Sequence, residues 1–479
     1  MTDDRWRSPL GSRYASPAMQ TLWGERHRIG LWRRLWLALA EAERELGLDI
    51  PEQAITQIRS HLDDADLELA ARYERRFRHD VMAHIHAFGD QAPAARPYLH
   101  LGATSAFVTD NADLVVMRDG LRLLLGRLIA VLGALERFAV RHASLPCLAY
   151  THFQPAQLTT VGKRATLWMQ DFALDVEEVC RRIESMRLRG CKGTTGTQAS
   201  FLELFGNNHD KVRELDRRVT AKLGFAAPFP VTGQTYTRKA DSAVLDTLSG
   251  IAQSAAKLAG DLRLLQHEGE LLEPFEQEQI GSSAMAYKRN PMRAERISGL
   301  ARFVISLQAN TASTAASQWL ERSLDDSANR RLTLPEGFLG TDAILVLATN
   351  IAAGLEVRED TIRRHVNEQM PFMATERWLM LGTAAGGDRQ ALHEVVRKHS
   401  LAVAEAVSRG EPNVLLERLA SDPAFRGVPA QALQAELEPS NYTGRAAAQV
   451  GEFVEEYLQP LLKRARPLAA EAEPAEVRV

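Results

Sequence analysis

Asp113 to Phe138 reads DLVVMRDGLRLLLGRLIAVLGALERF, and within it Leu114, Met117, Leu121, Leu124, Leu128, Val131, Leu135 and Phe138 recur in alternating steps of three and four. That spacing sets them on one stripe of an α-helix. Apolar residues also stand off the stripe, at Val115, Leu125, Ile129 and Leu132, so one covering neighbour is not enough. Two further rows repeat the pattern: Val161, Ala165, Trp168, Phe172, Val176, Val179, Ile183 and Met186, then Leu245, Leu248, Ala252, Ala255, Leu258, Leu262 and Leu265. Period-two alternation is scarce. The pattern predicts an all-α protein built on a bundle of long helices that continues into partner subunits. A helical solenoid would need a repeat of about 20–50 residues, and the sequence carries none.

The chain of 479 residues has room for about three domains. The long rows mark a central region of about 111–357. Residues 1–110 hold shorter helices, among them an amphipathic one near Ile29 to Leu46 that Gly47 suits as a C-cap. Residues 358–479 hold shorter helices broken at Gly386-Gly387, Asp422-Pro423 and Pro429, and an Ala/Glu-rich tail from Ala469 to Val479 that is expected to fray. A net charge of −3 and a pI near 6.5 argue against nucleic-acid binding through bulk charge. Cys147, Cys180 and Cys191 are odd in number and lack a CxxC spacing, so they support neither a disulfide framework nor a zinc site. The opening Met-Thr-Asp-Asp-Arg has no apolar leader pattern, and no uncharged run reaches about 18 residues. The expectation is a cytoplasmic protein with no membrane span.

Reactive side chains gather in the segments between the rows. Gly281-Ser282-Ser283-Ala284-Met285-Ala286-Tyr287-Lys288-Arg289-Asn290-Pro291 sets two hydroxyls among small residues, with Lys288 six positions after Ser282. Asn290 and Pro291 suit the N-cap and first turn of a helix. Alone, the serines read as a linker. Thr151-His152-Phe153-Gln154-Pro155-Ala156-Gln157 precedes the second row, which predicts His152 at a helix N-terminus. Lys192-Gly193-Thr194-Thr195-Gly196-Thr197-Gln198 offers N–H groups and hydroxyls to an anion, or is a tight structural turn. It lacks the ending of a P-loop. In Arg78-His79-Asp80-Val81-Met82-Ala83-His84-Ile85-His86 only the first and last histidines share a helical angle, so a cation–imidazole anion site fits better than a metal. Thr104-Ser105 adds small donors. Arg322, Arg330 and Arg331 surround Ser327; arginine forks match phosphate oxygens, and taken alone the cluster reads equally as a solvated charged turn.

Together these segments resemble the adenylosuccinate lyase family of the fumarase/aspartase superfamily, in the branch that includes the animal enzymes. The likeness runs from Arg7-Ser8-Pro9-Leu10 and Ser12–Pro17 through Arg78–His84, Thr151–Arg164, Lys192–Phe201, Thr232–Lys239, Gly281–Arg296 and Leu324–Arg331 to Thr443-Gly444-Arg445-Ala446. It implies a three-domain fold whose central bundle assembles between subunits, and a homotetramer with sites shared by three of them. The implied substrates are adenylosuccinate, split to AMP and fumarate, and the succinylocarboxamide ribotide SAICAR, split to AICAR and fumarate. No cofactor or metal is implied.

By position, the resemblance makes Ser282 the base, His152 the general acid, Glu295 the carboxylate that orients it, Lys288 a stabilising cation and His79 a second active-site histidine. It assigns Arg13, Tyr14, Arg322, Ser327 and Arg331 to phosphate and ribose, and Thr104, Ser105, Gln234, Lys288 and Asn290 to the succinyl carboxylates. Arg78, Asp80 and Arg296 match further binding positions. Ala286 departs from the family signature, which usually has proline there; alanine leaves the loop backbone freer. Two other readings stand beside this one. Argininosuccinate lyase would share the Ser282 loop without needing the arginine cluster. A non-enzymatic helical descendant would keep the seams but not the reactive groups.

Overall fold

A computed structural model describes residues 6–471 and residue 477. The tail expected to fray therefore lies, beyond residue 471, almost wholly outside the described residues. Helix α1 (Glu25–Glu45) ends as expected: Gly47 sits at φ +100°, where a side chain would be strained, and Leu48 N–H closes onto the Glu43 carbonyl. Helices α2 (Leu67–Phe77) and α3 (Asp80–Gln91) follow.

The three apolar rows are three long helices. The first row lies in α4 (Ser105–Arg141), the second in α5 (Val161–Ser185) and the third in α6 (Lys239–His267). Helices α7 (Met292–Ala316) and α8 (Asp325–Gly354) complete the bundle, with α8 packed on α4, α6 and α7. The off-stripe Val115, Leu125 and Leu132 are as buried as the stripe, because α4 is wrapped from several sides. Each such burial stabilises by about 1.5–3 kcal/mol. Where α4 and α8 cross, a Cβ added to Gly120 would lie 2.7 Å from the Phe338 ring.

Helix α8 is long and apolar enough to span a membrane by composition, yet most of that stretch is buried inside the bundle. Asp342, the one acid of this helix after Glu336, is fully buried. The carboxylate accepts the Ser16 N–H at 2.7 Å and the Arg127 Nε–H at 3.3 Å. That ties the N-terminal segment, including Arg13 and Tyr14, to the bundle.

Two small sheets interrupt the helices. Strands β1 (Pro146–Thr151) and β2 (Gln154–Thr160) form an antiparallel hairpin, and β3 (Leu271–Leu272) pairs with β4 (Glu356–Val357). After α9 (Glu359–Met373) and α10 (Thr375–Ala384) comes α11 (Arg389–Ser408). A second apolar core gathers Trp378, Leu392, Val403, Leu415 and Leu433, whereas Val450, Leu458 and Leu462 return to the first.

Candidate active site

Arg78, His79, Asp80, Thr104, Ser105, Gln234, Arg322, Ser327 and Arg331 line one cleft of about 1170 Å³. The local backbone explains the first three. Arg78 ends α2 in the left-handed region (φ 55°), which turns the chain sharply into α3. His79 then caps α3, its Nδ1 accepting the Met82 N–H at 3.4 Å, and Nε2 lies 3.3 Å from Ser105 Oγ at the start of α4. Asp80 accepts the Val81 N–H and, at 3.1 Å, a proton of Arg331. Arg322 donates to both oxygens of Asp326.

A buried charge network underlies this wall. Asp326 also accepts Arg238 Nε–H at 2.6 Å, and Arg238 reaches Asp110 at 3.1 Å. Burial alone would raise the Asp110 carboxyl, but Arg238 and Arg330 beside it hold it below its usual range. Arg330, grouped with Arg322 and Arg331 in the sequence, has its charge taken up here by Asp241 at 2.7 Å and Asp113 at 3.0 Å. Arg322 and Arg331 are more exposed than Arg330 on the cleft wall.

Ser282, Lys288, Asn290, Glu295 and Arg296 are grouped elsewhere. Ser282 Oγ accepts two backbone N–H groups, from Met285 at 3.1 Å and Ala284 at 3.3 Å. Lys288 is exposed. Asn290 does not cap α7, contrary to the sequence expectation. Its amide instead donates to the Gly281 carbonyl at 2.7 Å and closes the base of the loop. The N-cap position is Pro291, and the first-turn N–H groups of Arg293 and Ala294 are satisfied at 3.0 Å by the buried Glu273 carboxylate. Arg296 lies 5.7 Å from the Tyr14 ring, and burial lowers its pKa, with Arg13 adding to the effect. Arg13 and Tyr14 thus stand beside this group.

Met285 to Lys288 form a turn closed by the Lys288 N–H onto the Met285 carbonyl at 3.0 Å. Ala286 is its second residue, the position where proline's fixed φ is already correct. Ala286→Pro is therefore expected to raise hydrogen-exchange protection across residues 281–290 and to change turnover by less than about threefold. Protection equal to that of the parent chain would show that Ala286 leaves the loop no freer than proline does.

His152 is not at a helix N-terminus. It occupies the exposed tip of the β1–β2 hairpin, where His152 (φ 53°) and Phe153 (φ 58°) form the two-residue turn. Helix α5 starts only at Val161, capped by Thr160. The physical reason is register: Leu148 pairs with Leu158 and holds both strands to the core. No hydrogen bond joins His152 to Glu295, which is exposed on the first turn of α7. Neither residue lines the cleft.

The remaining candidates do not line the cleft. Lys192 is buried in an ion pair with Asp216 at 2.5 Å, so its glycine-rich loop supplies a turn and no free cation. His84 packs edge-on against Trp32, and His86 lies against Tyr73 and Phe77. Sequence reasoning missed Glu273, Asp342 and Asp326. Asp342 alone had a signal, as a single acid in an apolar helical run.

Hydroxyls, an amide and arginines in one cleft, and elsewhere in the chain a serine held by N–H donors, suit a dianionic, phosphorylated substrate and proton abstraction. On the long-helix bundle, such an arrangement defines the class: a lyase of the fumarase/aspartase type. Residues 19–306 match the family model described as Lyase, and residues 371–453 match that described as Adenylosuccinate lyase C-terminus. The chain belongs to the adenylosuccinate lyase family. It is 50% identical to adenylosuccinate lyase of Saccharomyces cerevisiae, over 96% of this chain and 97% of that one. Against the enzyme of Schistosoma mansoni, the identity is 46% over 96% of each chain. The solved structure of fumarate lyase from Mesorhizobium sp. BNC1 superposes with a TM-score of 0.77 at 25% identity, covering 94% of this chain and 98% of that one.

Proposed function

We propose that the chain splits adenylosuccinate to AMP and fumarate, and SAICAR to AICAR and fumarate, in purine biosynthesis. The near-full-length identity to the yeast enzyme carries this reading. The C-terminal family match favours it over argininosuccinate lyase, and the paired Arg322 and Arg331 suit a ribotide phosphate. Its three unpaired cysteines suit a reducing compartment, and the reading assigns the reaction to the cytoplasm.

In this account Ser282 removes a proton from the carbon beside a substrate carboxylate. The Ala284 and Met285 N–H groups already point at its Oγ. They, with Lys288, would stabilise the alkoxide that acts as base. Thr104, Ser105, Gln234 and Lys288 hold the carboxylates as the aci-carboxylate forms. His152, oriented by Glu295, gives its proton to the departing nitrogen. His79, bonded to Ser105, binds substrate. Asn290 would exchange its bond to Gly281 for one to substrate.

The cleft, the Ser282 group and the His152 hairpin occupy separate places in one chain. That separation supports sites assembled from three subunits of a homotetramer. Leu167 and Leu174 on α5 and Leu264 on α6 are exposed on the bundle, as a surface for partner helices would require. Purified protein incubated with adenylosuccinate should yield AMP and fumarate in equal amounts, followed by ultraviolet absorbance. Inert adenylosuccinate with cleavage of argininosuccinate would overturn the assignment.

A further inference from the structure

Glu270 is fully buried between the two elements that carry the reacting groups, yet no motif or reaction step includes it. Its backbone leads from α6 into β3, the stem of the Ser282 loop, and its carbonyl accepts the Arg358 N–H at 2.9 Å. Its carboxylate faces two other elements. One oxygen lies 2.9 Å from His365 Nδ1 on α9. The other has no hydrogen bond among the described residues and lies 3.9 Å from Arg164 in the first turn of α5.

Arg164 extends the chain of contacts into the hairpin. It donates to the Leu148 carbonyl, beside the register shift between Leu148 and Tyr150. Its guanidinium lies 6.0 Å from the Tyr150 ring. Tyr150 in turn packs on Phe153 at 5.7 Å, and Phe153 is the second residue of the turn that presents His152. Burial, and then the charge of Glu270, push the Tyr150 phenol above its usual pKa, in keeping with a carboxylate behind the ring.

The turn needs such support. His152 and Phe153 are both left-handed, a conformation that favours Gly or Asn in a two-residue hairpin and strains other residues. The Gln154 amide donates to the Phe153 carbonyl at 3.2 Å, and the bulge and ring stack lie beneath the tip. Without the Glu270 charge, Arg164 would lose its only carboxylate among the described residues.

We propose that Glu270 is a positioning residue that, through Arg164, fixes the His152 hairpin relative to the stem of the Ser282 loop. Coupling the acid's carrier to the base's stem makes both depend on one buried carboxylate. The inference rests on the assignment of His152 as acid, but it is tested separately from that assignment.

Glu270→Gln keeps the shape and the His365 contact while removing the charge that faces Arg164. It should lower kcat by about 10- to 100-fold with KM within about twofold, because the cleft residues that bind substrate are elsewhere. Hydrogen-exchange protection should fall in both 146–160 and 273–291. If Glu270→Gln does not fold, Arg164→Lys serves, since it keeps a cation but loses the fork that spans Leu148 and Glu270. It should show the same split between kcat and KM. The double variant Glu270→Gln/Arg164→Lys should be no worse than the poorer single one. Wild-type turnover with unchanged kcat in both single variants would overturn the coupling while leaving the function intact. So would additive losses in the double variant, or a loss confined to KM.

Discussion

Ser282→Ala is expected to lower kcat by roughly 10²–10⁴-fold, the span of a lost general base, with substrate binding and thermal stability close to those of the parent. The side chain is partly exposed on a loop and packs no core, so its removal opens no cavity. Ser283→Ala should be nearly silent by comparison. The reason is geometric: the Ala284 and Met285 N–H groups converge on Ser282 Oγ, whereas Ser283 Oγ receives no hydrogen bond among the described residues. Steady-state kinetics on both variants check the assignment. A fully active Ser282→Ala would refute it, and an inactive Ser283→Ala beside an active Ser282→Ala would move the role by one residue.

Glu43→Gln is expected to change how stability depends on pH. Glu43 lies in α1 fully buried, and neither carboxylate oxygen has a hydrogen-bond partner among the described residues. Burial pushes its pKa up to about 9. The unfolded chain has an ordinary carboxyl, so between roughly pH 5 and 9 the folded state holds one more proton than the unfolded state. Stability from this site is therefore complete at low pH and falls by about 1.4 kcal/mol per pH unit as pH rises through that window. Glutamine has no proton to lose. Relative to the parent, the variant should gain about 3 kcal/mol between pH 6 and pH 8.5, read from denaturant midpoints at the two pH values. Curves that stay parallel would show that Glu43 has a charge partner in the folded protein.

The bundle was legible because burial in a long helix repeats in steps of three and four, and Leu114 to Phe138 repeat that way without a break. The cleft was legible in part, since Arg78-His79-Asp80 and Thr104-Ser105 are polar runs at helix starts, where caps and ligands occur. The hairpin was not. Its turn is His152-Phe153, and neither residue has the freedom at positive φ that marks a two-residue turn in sequence. Glu43 was hidden for the opposite reason. It stands in Ala40-Glu41-Ala42-Glu43-Arg44-Glu45, which reads as a solvated helical face, yet helix α1 is covered on that side. Glu270 and Glu273 are isolated acids whose partners lie in α5, α7 and α9. Only the fold brings Arg164, His365 and the α7 N-terminus to them.

The central claim is that Ser282 and His152 from different subunits complete one site, and subunit mixing tests it most directly. His152→Ala and Ser282→Ala proteins, each inactive alone, are exchanged in equal amounts and assayed with adenylosuccinate. If the two groups come from different subunits, about a quarter of the sites in mixed assemblies hold both intact, and activity returns to about that fraction of the parent. No recovery after subunit exchange has been demonstrated would contradict the account, because it would place both groups in one chain.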